Sequence, residues 1–70
     1  MKNENVRKLV SKNLIELREE KGASFEEIAG AVGRSVRTVK SWESGKALPD
    51  LVTAYRIAAF YDIEVARLFE

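Results

Sequence analysis

The sequence contains no cysteine and no histidine. Their absence excludes disulfides, thiol chemistry, zinc sites built on Cys or His, and acid–base catalysis by imidazole. A small fold without such staples fits the cytoplasm. Proline occurs once, at Pro49, and no stretch has the composition of a linker or a low-complexity segment. No apolar run approaches the roughly 20 residues needed to cross a bilayer, and the polar start "MKNEN" lacks the apolar stretch of a signal peptide. Neither sign of charge dominates: 12 Lys and Arg face 11 Asp and Glu, a net charge of +1. In bulk, that is a weak pointer to nucleic acid.

What is present describes one folded domain. The 70 residues are 46% hydrophobic and 33% charged, too apolar for disorder. A chain of this size buries only roughly 60% of its unfolded surface, so its stability margin is thin. Apolar residues recur at helical spacing throughout, with no period-two alternation. The spacing predicts a first helix from about Asn5 to Lys21, with Val6, Leu9, Val10, Leu14 and Leu17 on its apolar side. Ser24-Phe25-Glu26-Glu27 has the capping-box form and opens a second helix with Ile28, Ala29 and Val32 inward. Ser35 caps a third, running to about Ser44 and stopped by Gly45. Asp50 caps a fourth, Leu51 to about Tyr61, with Leu51, Ala54, Ile57, Ala58 and Tyr61 inward. A fifth runs from about Glu64 to Phe69, anchored by Ile63, Val65 and Leu68. Five short helices with short connections predict a compact all-α domain over residues 1–70.

Charge is polarised along the chain. Arg34, Arg37, Lys40 and Lys46 share one stretch with a single acid, Glu43, whereas the stretch from Leu48 to the end holds two cations and four acids. On a helical wheel of about 100° per residue, Val39 and Trp42 of the third helix share one side. Arg37, Lys40, Ser41 and Ser44 share the other, and Val36 and Glu43 lie at the border. The bland reading is a solvated surface helix. The tight connection through Gly33 and Arg34 favours a second one, a helix-turn-helix over about residues 24–44. A helix presenting Arg, Lys and Ser suits a DNA major groove, where Arg pairs with guanine and Val36 meets a thymine methyl. A carboxylate at the border, Glu43, needs a cationic or hydrogen-bonding partner if buried. Arg18, beside the Leu14/Leu17 stripe, is a candidate; on spacing alone, two independent surface charges are an equal alternative.

Taken together and in order, Leu17-Arg18, Gly22, Ser24-Phe25, Ile28-Ala29, Val32-Gly33-Arg34-Ser35, Thr38-Val39, Trp42-Glu43, Gly45, Pro49 and Leu51 resemble the pattern of the Cro/cI-type (XRE-like) helix-turn-helix regulators. The closing "IAAFYDIEVARLF" is similar to that family's final helix pair. The resemblance implies a lambda-repressor-like five-helix domain and a transcription regulator, expected to be a repressor of bacterial or phage type. It implies base contacts at Val36, Arg37, Lys40 and Ser41. It implies phosphate contacts at the start of the second helix (Ser24 and Phe25), on the turn cap Ser35, and in the loop after the third helix, Gly45 to Lys46; Arg34 and Ser44 beside these are further phosphate-contact candidates. It also implies a structural ion pair between Arg18 and Glu43. Two residues depart from the pattern. Phe25 stands where the family carries a glutamine that clamps a phosphate and braces the third helix, work its side chain cannot do. Arg34 replaces an apolar turn residue, either as a plain surface change or as an added phosphate contact.

The reading that follows is a sequence-specific binder of double-stranded DNA, cytoplasmic and nucleoid-associated. No catalysis, cofactor, metal, membrane or small-molecule ligand is implied. Few phosphate-neutralising side chains on one domain predict a homodimer on a two-fold operator, with Phe60, Val65 and Phe69 as dimer-surface candidates; completion of the core is the alternative, stronger for Val65 and Phe69. A protein-interaction module on the same scaffold, antitoxin-like or an adaptor, is the competing reading, motivated by Phe25, Phe60 and Ile15. The acid pairs Glu19/Glu20 and Glu26/Glu27 do not make an enzyme, because neighbours on a helix point apart.

Overall fold

The computed structural model describes residues 3–70; Met1 and Lys2, part of the polar start, lie outside the described residues. α1 spans Asn3–Lys21 and begins two residues before the expected start. Val10, Leu14 and Leu17 are buried along it, one per helical turn, and Val6 packs partly against the same cluster. α2, Phe25–Val32, is held by a complete capping box. The Glu27 amide donates to Ser24 Oγ at 3.0 Å, and the Ser24 amide donates to Glu27 Oε1 at 3.0 Å. Gly33 ends it at φ 70°, the left-handed conformation that a Cβ disfavours. From there the Gly33 and Arg34 amides both donate to the Ala29 carbonyl.

α3 is Val36–Glu43, one residue shorter than expected because Ser44 serves as its C-cap. α4 is Leu51–Tyr61, capped by Asp50, which accepts from the Thr53 amide at 2.8 Å. Leu51, expected inward, is 71% exposed. It opens the helix beyond the edge of the core, and Thr53 and Ala54 take the inward places of the first turn.

The expected fifth α-helix is not formed. Val65–Phe69 is a 3₁₀ helix, so the described residues contain four α-helices and one 3₁₀ turn. Five residues without a side-chain cap at Glu64 cannot offset the cost of nucleating an α-helix. At three residues per turn, Val65 and Leu68 eclipse one another. Leu68 is fully buried, Val65 is half-buried, and Phe69 swings out to 42% exposure. An α-helix would have returned Phe69 to the same side as Val65; in the 3₁₀ helix Phe69 does not complete the core, the alternative to its role as a dimer-surface candidate.

The core joins Val10, Leu14 and Leu17 of α1 to Ile28, Ala29 and Val32 of α2, Val39 and Trp42 of α3, Ala54 and Ile57 of α4, and Leu68. α1 packs on α3 and on the 3₁₀ helix, while α2 packs on α3 and α4. The short α3 is thus backed by the longest helix on one side and by α2 on the other. No helix among the described residues is long and apolar enough to cross a membrane.

Candidate nucleic-acid interface

An eight-residue helix is too short to be stable in isolation, so the conformation of α3 depends on what holds it. Ser35 fixes its start: Ser35 Oγ accepts from the Thr38 amide at 3.1 Å and donates to Thr38 Oγ1 at 3.0 Å. Val39 and Trp42 are buried and anchor one edge by apolar burial. The C-terminal end is held at Glu43. Arg18 Nε donates to both oxygens of the Glu43 carboxylate, at 3.0 and 2.9 Å. Ser11 Oγ donates to the Glu43 backbone carbonyl. The Glu43 side chain is only 9% exposed and that of Arg18 24%. This hydrogen bond and the nearby carboxylate charge raise the Arg18 pKa above its already high ordinary value, so the guanidinium stays charged.

Phe25 cannot hydrogen-bond through its side chain, but its ring touches a residue of the third helix. The Arg18 guanidinium lies 4.5 Å from the centre of its ring, and the Lys40 ammonium lies 5.3 Å from the same centre. Both distances are within the range of a cation–π contact. The half-buried ring therefore sits among α1, α2 and α3.

The free edge of α3 is different in character. Val36, Arg37, Lys40, Ser41 and Ser44, with Lys46 from the following loop, line an open groove of about 570 Å³. Arg37, Lys40, Ser44 and Lys46 are exposed, and Val36 and Ser41 are half-buried. Ser41 Oγ donates to the Thr38 carbonyl, and Ser44 Oγ to the Ser41 carbonyl. Glu43 is engaged with Arg18, and among the described residues no carboxylate lines this groove. Its charge is positive although that of the whole chain is nearly balanced. Ser24 and Ser35 are exposed at the starts of α2 and α3, where backbone N–H groups are available to an anion.

Arg34 is not a free surface cation. Its Nη2 lies 2.9 Å from Asp50 Oδ2, tying the turn between α2 and α3 to the cap of α4. The Thr53 amide, then Arg34, lower the Asp50 pKa to about 2. Of the dimer candidates, Phe60 is half-buried with its ring edge against Tyr61, centroids 4.9 Å apart. Among these candidates, only Phe69 counts as exposed. Burial pushes the Tyr61 phenol up to about 12.

Several supporting residues went unread in the sequence. Ser11 holds the end of α3, and Arg56 Nη1 donates to the Val32 carbonyl at 3.4 Å behind the turn. Asn13 Nδ2 donates to the Leu68 carbonyl at 2.9 Å and seats the 3₁₀ helix. Only Asn13 left a trace, as a polar residue set beside Val10 and Leu14 on the apolar stripe. The Ser11 and Arg56 contacts join positions 32 and 24 residues apart, with no local pattern to betray them.

The helix-turn-helix family profile matches residues 14–68. Over 54 residues, 77% of this chain and 70% of the relative, the sequence is 39% identical to an uncharacterized HTH-type transcriptional regulator, y4dJ, of Sinorhizobium fredii (strain NBRC 101917 / NGR234). With α2, a left-handed glycine turn and α3 in the matched segment, the chain belongs to the XRE-like helix-turn-helix family.

Proposed function

We propose that this chain is a sequence-specific double-stranded DNA-binding transcription regulator, acting as a repressor, with α3 as the element that enters the major groove. The observation that carries the reading is the division of α3 into two edges. One is anchored through Val39, Trp42 and Glu43, and the other presents Val36, Arg37, Lys40 and Ser41 around one open groove. On this reading Arg37, Lys40 and Ser41 meet base edges, and Val36 meets a thymine methyl. Ser24, Ser35, Ser44 and Lys46, with the backbone at Phe25, meet phosphates and set the register. Arg34 reaches a phosphate only while shared with, or released from, Asp50. A homodimer would place two copies of α3 about 34 Å apart on a two-fold operator. The exposed Phe69 is then the leading contact between copies, with Val65 and Phe60 beside it.

Selection of bound sites from a random duplex pool tests this reading. One enriched palindrome is the expected result. Absence of binding to random duplex at low salt would overturn it. The competing antitoxin-like or adaptor module is favoured by one observation: Leu48, Leu51, Val52 and Tyr55 all stand exposed at and before the start of α4. That is a cluster of apolar side chains DNA binding does not require.

A further inference from the structure

The Phe25 ring lies in a chain of contacts that starts and ends on α3. Glu43 binds Arg18 of α1, Arg18 stacks on Phe25 of α2, and Phe25 carries the ammonium of Lys40, one turn before Glu43 on α3. Among the described residues, Lys40 is the one cation lining the groove that also touches an aromatic ring. An exposed lysine normally samples many rotamers, and ordering it on contact with a ligand costs side-chain entropy. A ring already packed against the core offers a fixed seat that remains sequence-neutral in itself.

We propose that Phe25 is a positioning residue for Lys40: the ring holds the ammonium in one place on the groove edge before DNA arrives. Lys40 thereby meets the duplex pre-ordered. The use made of Lys40 rests on the DNA-binding reading above, whereas its seating on the ring does not.

Two measurements on the full chain separate these. In the free protein, the ring current should shift the Lys40 ε-methylene protons upfield, and Phe25→Leu should return them to ordinary lysine values. Phe25→Met, which fills similar space without a ring, serves equally if the leucine variant does not fold. Unshifted protons in the parent overturn the proposal. On a short random-sequence duplex at low salt, Phe25→Leu should weaken binding about three-fold, the size of an exposed cation–π contact. Phe25→Tyr should restore it, and the loss should vanish on a Lys40→Ala background. Equal losses on both backgrounds, or tighter binding by Phe25→Leu, overturn the positioning role. A parent that binds no duplex refutes the DNA-binding reading instead, and the ring-current shift then decides the seating of Lys40 alone.

Discussion

Breaking the pair between Arg18 and Glu43 should remove a large share of the domain's stability. The Glu43 carboxylate is 9% exposed, and both its oxygens accept from Arg18 Nε. Removal of one partner from a buried pair costs about 3–5 kcal/mol, because the other charge stays desolvated. Arg18 keeps 24% of its side-chain surface in water, which places Arg18→Met near the lower end, at roughly 3 kcal/mol. A domain of this size has a total stability of roughly 4–10 kcal/mol, so the loss is a large share of it. Glu43→Gln should cost less, about 1–2 kcal/mol, since the guanidinium can turn toward solvent. The double variant should be more stable than the sum of the two losses by about 1–3 kcal/mol, because the stranded carboxylate is gone. Urea unfolding followed through Trp42, the sole tryptophan and itself buried in α3, measures all four proteins. Single losses that add within about 0.5 kcal/mol would refute the reasoning, and the pair would then be an incidental contact.

Arg37→Ala should cost about 1–3 kcal/mol at one base pair of the selected site and leave binding to other sequences nearly unchanged; a panel of operator variants reads this, and uniform behaviour across the panel removes the base-reading role. Lys46→Ala should weaken all sequences alike and reduce the slope of log affinity against log salt by about one, which a salt titration measures. Asp50 has its pKa lowered to about 2 in the folded state. The unfolded chain therefore holds more protons between that value and the ordinary carboxylate range. The contribution of Asp50 to stability is complete above the unfolded value and is lost as pH falls toward the folded one. Asp50→Asn should consequently flatten the acid limb of the stability curve, and limbs of equal slope would show that Asp50 does not titrate with unfolding. Gly33→Ala should destabilise by about 1–2 kcal/mol: φ is +70° and the added Cβ would lie 3.3 Å from Arg56 Nη1. Thermal unfolding checks it, and Arg56→Ala in the same background should recover the steric part only.

Local signals were readable and tertiary ones mostly were not. The Ser24 capping box, the Ser35 and Asp50 caps and the Gly33 stop all act within four residues, and all are formed. The inward edge of α3 followed from spacing alone, since Val39 and Trp42 sit three apart. Over five residues the two helical periods cannot be told apart, so the spacing predicts an α-helix where a 3₁₀ helix forms. Its end is instead seated by Asn13, which lies 55 positions from Leu68. Arg34 stayed open for the same reason: its partner Asp50 is 16 residues away and was already explained as a cap. Asp62 closes α4 in the left-handed conformation at φ 56°, a position where glycine would have marked the stop and aspartate did not.

Two kinds of side chain on α3 have separable consequences. Eight residues do not hold a helix in water by themselves, so α3 exists through Ser35, Val39, Trp42 and the Glu43 links to Arg18 and Ser11. Loss at any of these weakens the support of the whole outward edge together, whatever that edge binds. Arg37 has no hydrogen bond or ion pair within the described residues and contributes little to folding, as expected of an exposed charge. Its replacement should change recognition without changing stability. Lys40 stands between the two groups, since it faces the groove and also rests on Phe25. Lys40 is thus an edge cation whose substitution should move both quantities, and Phe25 is the residue through which it does so.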